Sequence, residues 1–357
     1  MGRLKKIFKR ITIVLGILLL ALLSLHTVGS RWNRRTPKGG INTSMYVDIN
    51  GTREWINIYG KDKNNPVLLY LHGGPGSATS EIDYAFTRKW ADIYTVVTWD
   101  QRNCGKSYDI AQNHRKLTKD ILMEDGKELT EFLKDYLNVE KISLLGHSWG
   151  SIYGANLVLA NPDDYDLFIG CGQLVDPVEN EKAFIAEARQ WAAGDEDTLK
   201  LLSKVDPESI DVESIEAKNA ILKKYGYSIM NDKVDYNIVT TILFNPNYSL
   251  ADWLAFFRRD HRVYFHFYCS DAFKAFSLKG RNTYRIPYIN INGDMDYQVS
   301  HKLAEDYFNQ ITAPQKDLFL MKNTRHGLLV SKSEEFSKLL HQVYEKYRWI
   351  YRGKHGY

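Results

Sequence analysis

Short, continuous runs of apolar residues alternate along this chain with longer stretches of helical periodicity. Runs of this length and composition are typical of strands buried on both faces. They cover residues 67–71, 94–99, 142–145, 167–171, 288–292 and 318–321. Between them, apolar residues at three- and four-residue spacing predict helices over residues 120–137, 148–161, 300–311 and 331–347. Such alternation predicts an α/β fold with a mostly parallel sheet and helices on both faces.

Two parts of the folded region depart from this rhythm. Residues 45–49 and 52–59 alternate like strands around Asn50-Gly51, which predicts an antiparallel hairpin at the start. Residues 176–285 show no evident strand, are charged and helical at first, and are then rich in aromatic residues. We interpret this segment as an inserted helical cap over the carboxyl edge of the sheet, where open α/β folds bind ligands.

The predicted domain organisation follows from these boundaries. The core comprises residues 44–175 and 286–357, and the cap comprises residues 176–285. Ahead of them lie a basic segment (1–10), an apolar segment (11–28) and a linker (29–43) in which charge, Pro and Gly break any periodicity.

The apolar segment 11–28 is long enough to cross a membrane. At 1.5 Å per residue its helix would span about 27 Å, close to the hydrocarbon thickness of a bilayer. The basic cluster before it predicts a signal anchor with the N-terminus inside and the folded domain outside. A cleaved signal peptide, and hence a secreted protein, is the alternative, although the residues after the run form a poor cleavage site.

The charge distribution argues against nucleic acid as a partner. The net charge is +4, but residues 1–40 hold nine basic residues and no acidic ones, so the remainder carries −5. No basic stripe of the kind that binds nucleic acid is visible there. The three cysteines form neither a disulfide framework nor a metal pattern. The sequence therefore predicts no cofactor and no metal, and it leaves the oligomeric state open.

The pentapeptide Gly146-His147-Ser148-Trp149-Gly150 has the pattern G-x-S-x-G. It lies between a predicted strand and a predicted helix, where a serine on a sharp turn is raised at the sheet edge as a nucleophile. An ordinary helix N-cap is the alternative role for Ser148.

A serine nucleophile needs a histidine base that is itself held by a carboxylate, in the chain order Ser, acid, His. His326 lies in a loop directly after the strand 318–321, whereas the other histidines beyond the cap lie in helices or in the tail. The preceding strand is followed by Asp294 and Asp296. We prefer Asp296 for its reach toward His326, because Asp294 beside Gly293 is better placed to shape the turn.

The tetrahedral intermediate of acyl transfer needs two backbone N–H donors. The N–H of Trp149 follows the nucleophile, and the loop after strand 67–71 supplies the second donor. This loop is His72-Gly73-Gly74-Pro75-Gly76. We favour the Gly74 N–H, with that of Gly73 as the alternative.

Three motifs carry a family resemblance: H-G-G-P-G (72–76), W-D-Q-R-N-C-G-K-S (99–107) and G-H-S-W-G-S (146–151). Together they resemble the proline iminopeptidase family of α/β-hydrolases, with G-x-x-D (293–296) and R-H-G (325–327) in the expected places. The resemblance implies the α/β-hydrolase fold and release of an N-terminal residue, typically proline. It also implies that the 99–107 loop braces the oxyanion side. Asn103 stands where the family usually has Gly, and Tyr297 where some relatives carry an amine-binding Glu.

The resemblance implies a small peptide substrate with a free amine, which a cap carboxylate would bind. Glu179, Glu181 and Glu187 are the candidates, with Glu181 preferred, although a solvated helix face is the commoner role for each. Aromatic residues of the cap could wall a slot for a proline ring: Trp253, Phe256, Phe257, Tyr264, Phe265 and Phe267. An esterase or lactonase with the same triad, or a non-catalytic membrane-tethered binding protein, are the competing hypotheses.

Overall fold

An eight-stranded sheet forms the centre of the computed structural model, which describes residues 2–112, 116–260 and 262–351. The strands are β1 (Ile41–Ile49), β2 (Thr52–Gly60), β3 (Val67–Leu71), β4 (Thr95–Asp100), β5 (Ile142–His147), β6 (Tyr165–Cys171), β7 (Tyr288–Gly293) and β8 (Lys316–Met321). Their order is β1-β2-β4-β3-β5-β6-β7-β8. The first two strands form a hairpin, β2 pairs antiparallel with β4, and all later neighbours pair in parallel. The predicted mostly parallel sheet is confirmed.

The α-helices occupy the segments between and after the strands. They are α1 (Gly2–Asn33), α2 (Tyr84–Thr87), α3 (Lys119–Leu137), α4 (Trp149–Ala160), α5 (Pro177–Trp191), α6 (Glu196–Leu202), α7 (Val212–Lys224), α8 (Ile238–Leu243), α9 (Leu250–Phe256), α10 (Arg262–Tyr268), α11 (Asp271–Lys274), α12 (His301–Gln310), α13 (Leu328–Ser331) and α14 (Ser333–Tyr347). Short 3₁₀ turns lie at Arg88–Trp90, Gly105–Ser107, Ile110–Gln112, Pro162–Asp164, Ile229–Asn231 and Arg348–Ile350.

Helices cover both faces of the sheet, as strand β3 illustrates. All five of its residues are buried. Leu69 and Leu71 belong to a core cluster that includes Leu129 of α3, whereas Leu68 belongs to a second cluster that includes Leu340 of α14. Because successive side chains of a strand point to opposite faces, a continuous apolar run fits a strand that is covered on both sides.

The helices α5 to α11 lie between β6 and β7 in the chain and form the cap. No strand occurs in this segment where the structure describes it. The cap helices α5, α6 and α7 are capped by Asp176, Asp195 and Asp211, whose side chains each accept a hydrogen bond from the backbone N–H three residues on. A separate apolar cluster that includes Phe184 and Ile221 gives the cap its own core.

The apolar N-terminal segment lies within α1. Among the described residues, α1 is the one helix long and apolar enough to cross a membrane, and none of its most apolar stretch is buried within the structure. The helix continues past the apolar run to Asn33, and β1 begins at Ile41, inside the segment predicted as a linker. One such helix near the N-terminus is consistent with a membrane anchor or with a signal sequence.

Candidate active site

Ser148 lies on the turn between β5 and α4 with φ of +56° and ψ of −119°. Positive φ is uncommon for a residue with a side chain, and strained backbone of this kind clusters at functional sites. The turn is tight enough that a Cβ atom on Gly146 would overlap the Gly150 carbonyl, and one on Gly150 would overlap the carbonyl of Leu71. The two glycines of the pentapeptide are therefore required by backbone contact.

The Ser148 side chain does not cap helix α4. Within the described residues its hydroxyl makes no hydrogen bond, although the side chain is mostly buried. The alternative role as an ordinary N-cap is therefore absent from the structure, which leaves the hydroxyl available to a ligand.

His326 and Asp296 form a buried pair. His326 Nδ1 lies 2.7 Å from Asp296 Oδ2, and Asp296 Oδ1 accepts a further hydrogen bond from the Val299 N–H at 3.0 Å. Gly172, with φ of +51°, lies beside the pair, since a Cβ atom there would be 3.2 Å from His326 Cε1. A carboxylate is an acceptor only, so Nδ1 carries the proton and Nε2 is left as the basic nitrogen.

The neighbouring acid has a different role in the structure. Asp294 Oδ1 accepts a hydrogen bond from the Thr324 N–H at 3.3 Å, which ties the turn after β7 to the loop that carries His326. Of the two candidate acids, the structure brings only Asp296 into hydrogen-bond contact with the histidine.

His147 connects the serine turn to the histidine loop. Its Nε2 donates to the His326 carbonyl at 2.8 Å, and the two imidazole rings lie 4.8 Å apart. Burial, helped by the nearby His326, lowers the pKa of His147 to about 3, so its ring is neutral. No hydrogen bond joins Ser148 Oγ to His326 in the part of the chain described. Catalytic hydrogen bonds are often long before substrate binds.

The three predicted oxyanion donors lie around Ser148. Gly73 is close enough that a Cβ atom on it would be 3.2 Å from Ser148 Cβ, and Gly74, with φ of +118°, lines the same cavity as Ser148. No acceptor for the N–H of Gly73, Gly74 or Trp149 is found among the described residues. Unpaired backbone donors at one point suit an oxyanion. Both glycines remain candidates.

The 99–107 loop is built around Asp100. Its Oδ2 accepts hydrogen bonds from Ser80 Oγ and from the Lys106 N–H, each at 2.6 Å, and burial raises the pKa of Asp100 to about 6. The next residue, Gln101, accepts a hydrogen bond from the Trp149 indole at 3.0 Å. This last contact links the loop directly to the residue after the nucleophile.

The backbone conformation of Asn103 accounts for an asparagine at a position where the resembled family usually has glycine. Asn103 has φ of +53°, a conformation that glycine adopts freely and that asparagine tolerates better than most residues. Replacing glycine by asparagine here therefore preserves the loop conformation.

A small cavity of about 40 Å³ lies beside Ser148, large enough for only a few water molecules. Its wall includes Gly74, Glu181, Tyr268, Phe273 and Val299. Ligand sites usually measure about 300–1,000 Å³, so this cavity is smaller than a typical substrate pocket.

Of the three candidate cap carboxylates, Glu181 is the one in this cavity wall. Its Oε1 accepts hydrogen bonds from Lys218 Nζ at 2.6 Å and from Asn180 Nδ2 at 3.2 Å. By contrast, Glu179 pairs with Lys279 at 2.9 Å, and Glu187 pairs with Lys302 at 2.5 Å. Lys218 and the contact of His147 with the His326 loop are features of the site that the sequence did not predict.

The predicted aromatic slot is not formed by the residues named for it. Tyr268 and Phe273 line the cavity instead. Phe267 packs against the Trp149 ring with centroids 5.4 Å apart, and Tyr264 packs onto Gly76. Phe267 and Tyr264 are therefore part of the buried core between the cap and the sheet.

The family model for the α/β hydrolase fold matches residues 66–209. The probable aminopeptidase YbaC of Bacillus subtilis is 25% identical over 314 residues, which cover 85% of this chain and 96% of that protein. Bacterial proteins named proline iminopeptidases match over less than half of the chain.

Solved structures show the same fold. Proline iminopeptidase of Mycobacterium smegmatis superimposes with a TM-score of 0.60 at 18% identity, covering 85% of this chain and 98% of that one. A bacterial membrane phospholipase A superimposes with a TM-score of 0.57 at 17% identity, covering 98% of this chain and 99% of that one. The second comparison therefore extends into α1.

Proposed function

The chain is an α/β-hydrolase that resembles the proline iminopeptidases, and from this premise we propose that it is a serine aminopeptidase that releases an N-terminal residue from short peptides. The observation that carries the proposal is the buried His326–Asp296 pair beside a serine in a strained turn. The aminopeptidase specificity rests on the relatives and on Glu181 in the cavity wall.

The chemistry follows from the placement of these groups. Ser148 Oγ attacks the carbonyl of the N-terminal residue while His326 Nε2 takes its proton, and Asp296 holds the imidazole and stabilises its positive charge. The negative oxygen is held by the N–H of Trp149 and of Gly74 or Gly73. His326 then protonates the leaving amine, which leaves an ester of the residue on Ser148. Water, deprotonated by His326, hydrolyses that ester and restores the serine.

Glu181 is proposed to bind the substrate amine. An α-amino group has a pKa of about 8, so it enters as a cation and loses hydration in a closed site. Both hydrogen bonds to Glu181 from the described residues go to Oε1, which leaves Oε2 for the ammonium group. Lys218 holds the buried carboxylate in position through their ion pair.

The first prediction is that a free amine is required. Proline 2-naphthylamide should be hydrolysed with kcat/KM about 100-fold above that of its N-acetylated form. Acetylation removes the positive charge of the substrate amine, so the substrate no longer forms an ion pair with Glu181. The measurement is release of naphthylamine from both compounds by the purified full-length chain. Equal rates would contradict the aminopeptidase proposal.

A pair of variants locates the amine site. Glu181→Gln should lower kcat/KM for the free amine substrate while an ester without an amine is turned over as before. Glu187→Gln is the matched control, since its pairing with Lys302 lies outside the cavity wall, and should leave both rates unchanged. Equal losses on both substrates would indicate structural damage and not a lost amine contact.

An esterase or lactonase is the second candidate function. One observation favours it: Glu181 already forms an ion pair with Lys218. The paired carboxylate attracts the ammonium group of a substrate less strongly than an unpaired carboxylate would. The same triad would then act on an uncharged acyl substrate, and the comparison of acetylated and free substrates separates the two functions.

We also propose that α1 anchors the enzyme with its catalytic domain outside the cytoplasm. The support is the apolar helix and the basic residues before it. Protease added to intact cells should therefore degrade the domain while a cytoplasmic marker survives. Protection of the domain until lysis, or its recovery in the soluble fraction, would contradict this placement. Small peptides or acyl compounds are the proposed partners, without nucleic acid.

A further inference from the structure

The cap is docked on the end of α1. His26 Nδ1 donates to the Leu243 carbonyl at 2.7 Å, Asn33 Nδ2 donates to the Phe244 carbonyl at 2.9 Å, and Phe244 itself lies directly on Gly29. These contacts fix helix α8 and the residues after it against the last two turns of the N-terminal helix.

The docking point fixes the depth of the cap if α1 spans a bilayer. His26 lies two residues before Val28, the end of the apolar run, which is about 3 Å along the helix axis. Gly29 lies one residue after it. The Leu243–Phe244 backbone is therefore at the level of the boundary between hydrocarbon and headgroups.

The cap surface next to this point is unusually apolar. Three side chains of α8 and three in or directly after α9 are exposed, and we name these six residues the outer cap surface: Ile238, Val239, Ile242, Leu250, Leu254 and Phe257. Val239, Leu254 and Phe257 are 68%, 50% and 79% exposed. Six exposed apolar side chains on two successive cap helices mark a candidate interaction site.

The residues around the surface match a membrane interface. Trp32 is exposed at the end of α1, and the Arg35 guanidinium carbon lies 3.8 Å from the centroid of its ring. Arg31 in α1 and Arg258, two residues after α9, are exposed as well. Tryptophan is enriched at the headgroup level, and arginine there attracts lipid phosphates. An open apolar groove of about 290 Å³ between Leu25, Trp32 and Phe244 lies at the same level.

We propose that the outer cap surface lies in the outer leaflet of the lipid bilayer that α1 crosses. The occupant is lipid and not a second protein copy, because the surface continues the exposed apolar surface of α1, whose length matches a bilayer. The cap that covers Ser148 is thereby in contact with lipid, whichever acyl substrate the enzyme hydrolyses.

Lipid contact is tested with single-cysteine probes on the full-length chain in lipid vesicles. In a Cys269→Ser background, with Cys104 and Cys171 buried, Val239→Cys and Leu254→Cys are labelled with an environment-sensitive fluorophore. Lipids that carry a nitroxide near the headgroup are then added. A side chain about 5–10 Å deep at the headgroup boundary should lose about half of its emission.

Leu199→Cys is the matched control. It is another exposed leucine on a cap helix, α6, which packs against α5 and α7. Its emission should not fall. Equal quenching at all three positions, or none at Val239 and Leu254, would overturn the proposal. Disulfide cross-linking between copies through position 254 would assign the surface to a second copy and overturn it as well.

Discussion

Replacing Ser148 with alanine is expected to lower kcat/KM by a factor of about 10⁴ or more, because the proposed acyl intermediate forms on the Ser148 hydroxyl. The variant should also fail to react with a fluorophosphonate probe that labels the native protein and not the heat-unfolded one. The fold should persist, since the Ser148 hydroxyl makes no hydrogen bond among the described residues. Labelling that survives in the variant would remove Ser148 from the mechanism.

Ser151 provides the matched control for this experiment. It lies on helix α4, three residues after Ser148, and its hydroxyl is structural, because it donates to the Ser148 carbonyl at 2.6 Å and accepts from the Leu174 N–H at 2.9 Å. Ser151→Ala should lose about 1–3 kcal/mol of unfolding free energy through the unpaired buried N–H. It should keep fluorophosphonate labelling, so the two serines separate catalysis from stability.

The sheet could be predicted because its sequence signal is local. Residues such as Leu68 and Leu69 are apolar in succession, which fits the two covered faces of β3. The later cap helices could not be predicted. Helix α8 (Ile238–Leu243) has only six residues and exposes several apolar ones, so it lacks the buried stripe that makes helical periodicity visible.

Some residues of the candidate site could likewise be predicted from local sequence patterns, and others could not. Ser148 and His326 could be located because each follows a strand in the order that the chemistry requires. Lys218 gave no signal, since its pairing with Glu181 joins residues from two cap helices, α5 and α7, whose packing is not encoded in any local pattern. The same holds for His147 and its contact with the His326 loop.

The last prediction concerns the acid, for which the chain offers two neighbouring aspartates. Asp296→Asn is expected to lower kcat by about 10⁴, because an amide can donate to Nδ1 and would favour the tautomer with its proton on Nε2. That tautomer cannot accept the Ser148 proton. The measurement is kcat on proline 2-naphthylamide, or on the best ester if the amine proves unnecessary.

Asp294→Asn is the matched control for this experiment. Asp294 accepts from the Thr324 N–H, and asparagine retains an oxygen acceptor, so the turn and the rate should change little. Both substitutions remove one negative charge within the same short turn, hence a general electrostatic effect would slow both variants alike. A large loss in Asp296→Asn alone requires the direct hydrogen bond to His326, whereas equal losses, or a larger loss in Asp294→Asn, would contradict Asp296 as the orienting acid.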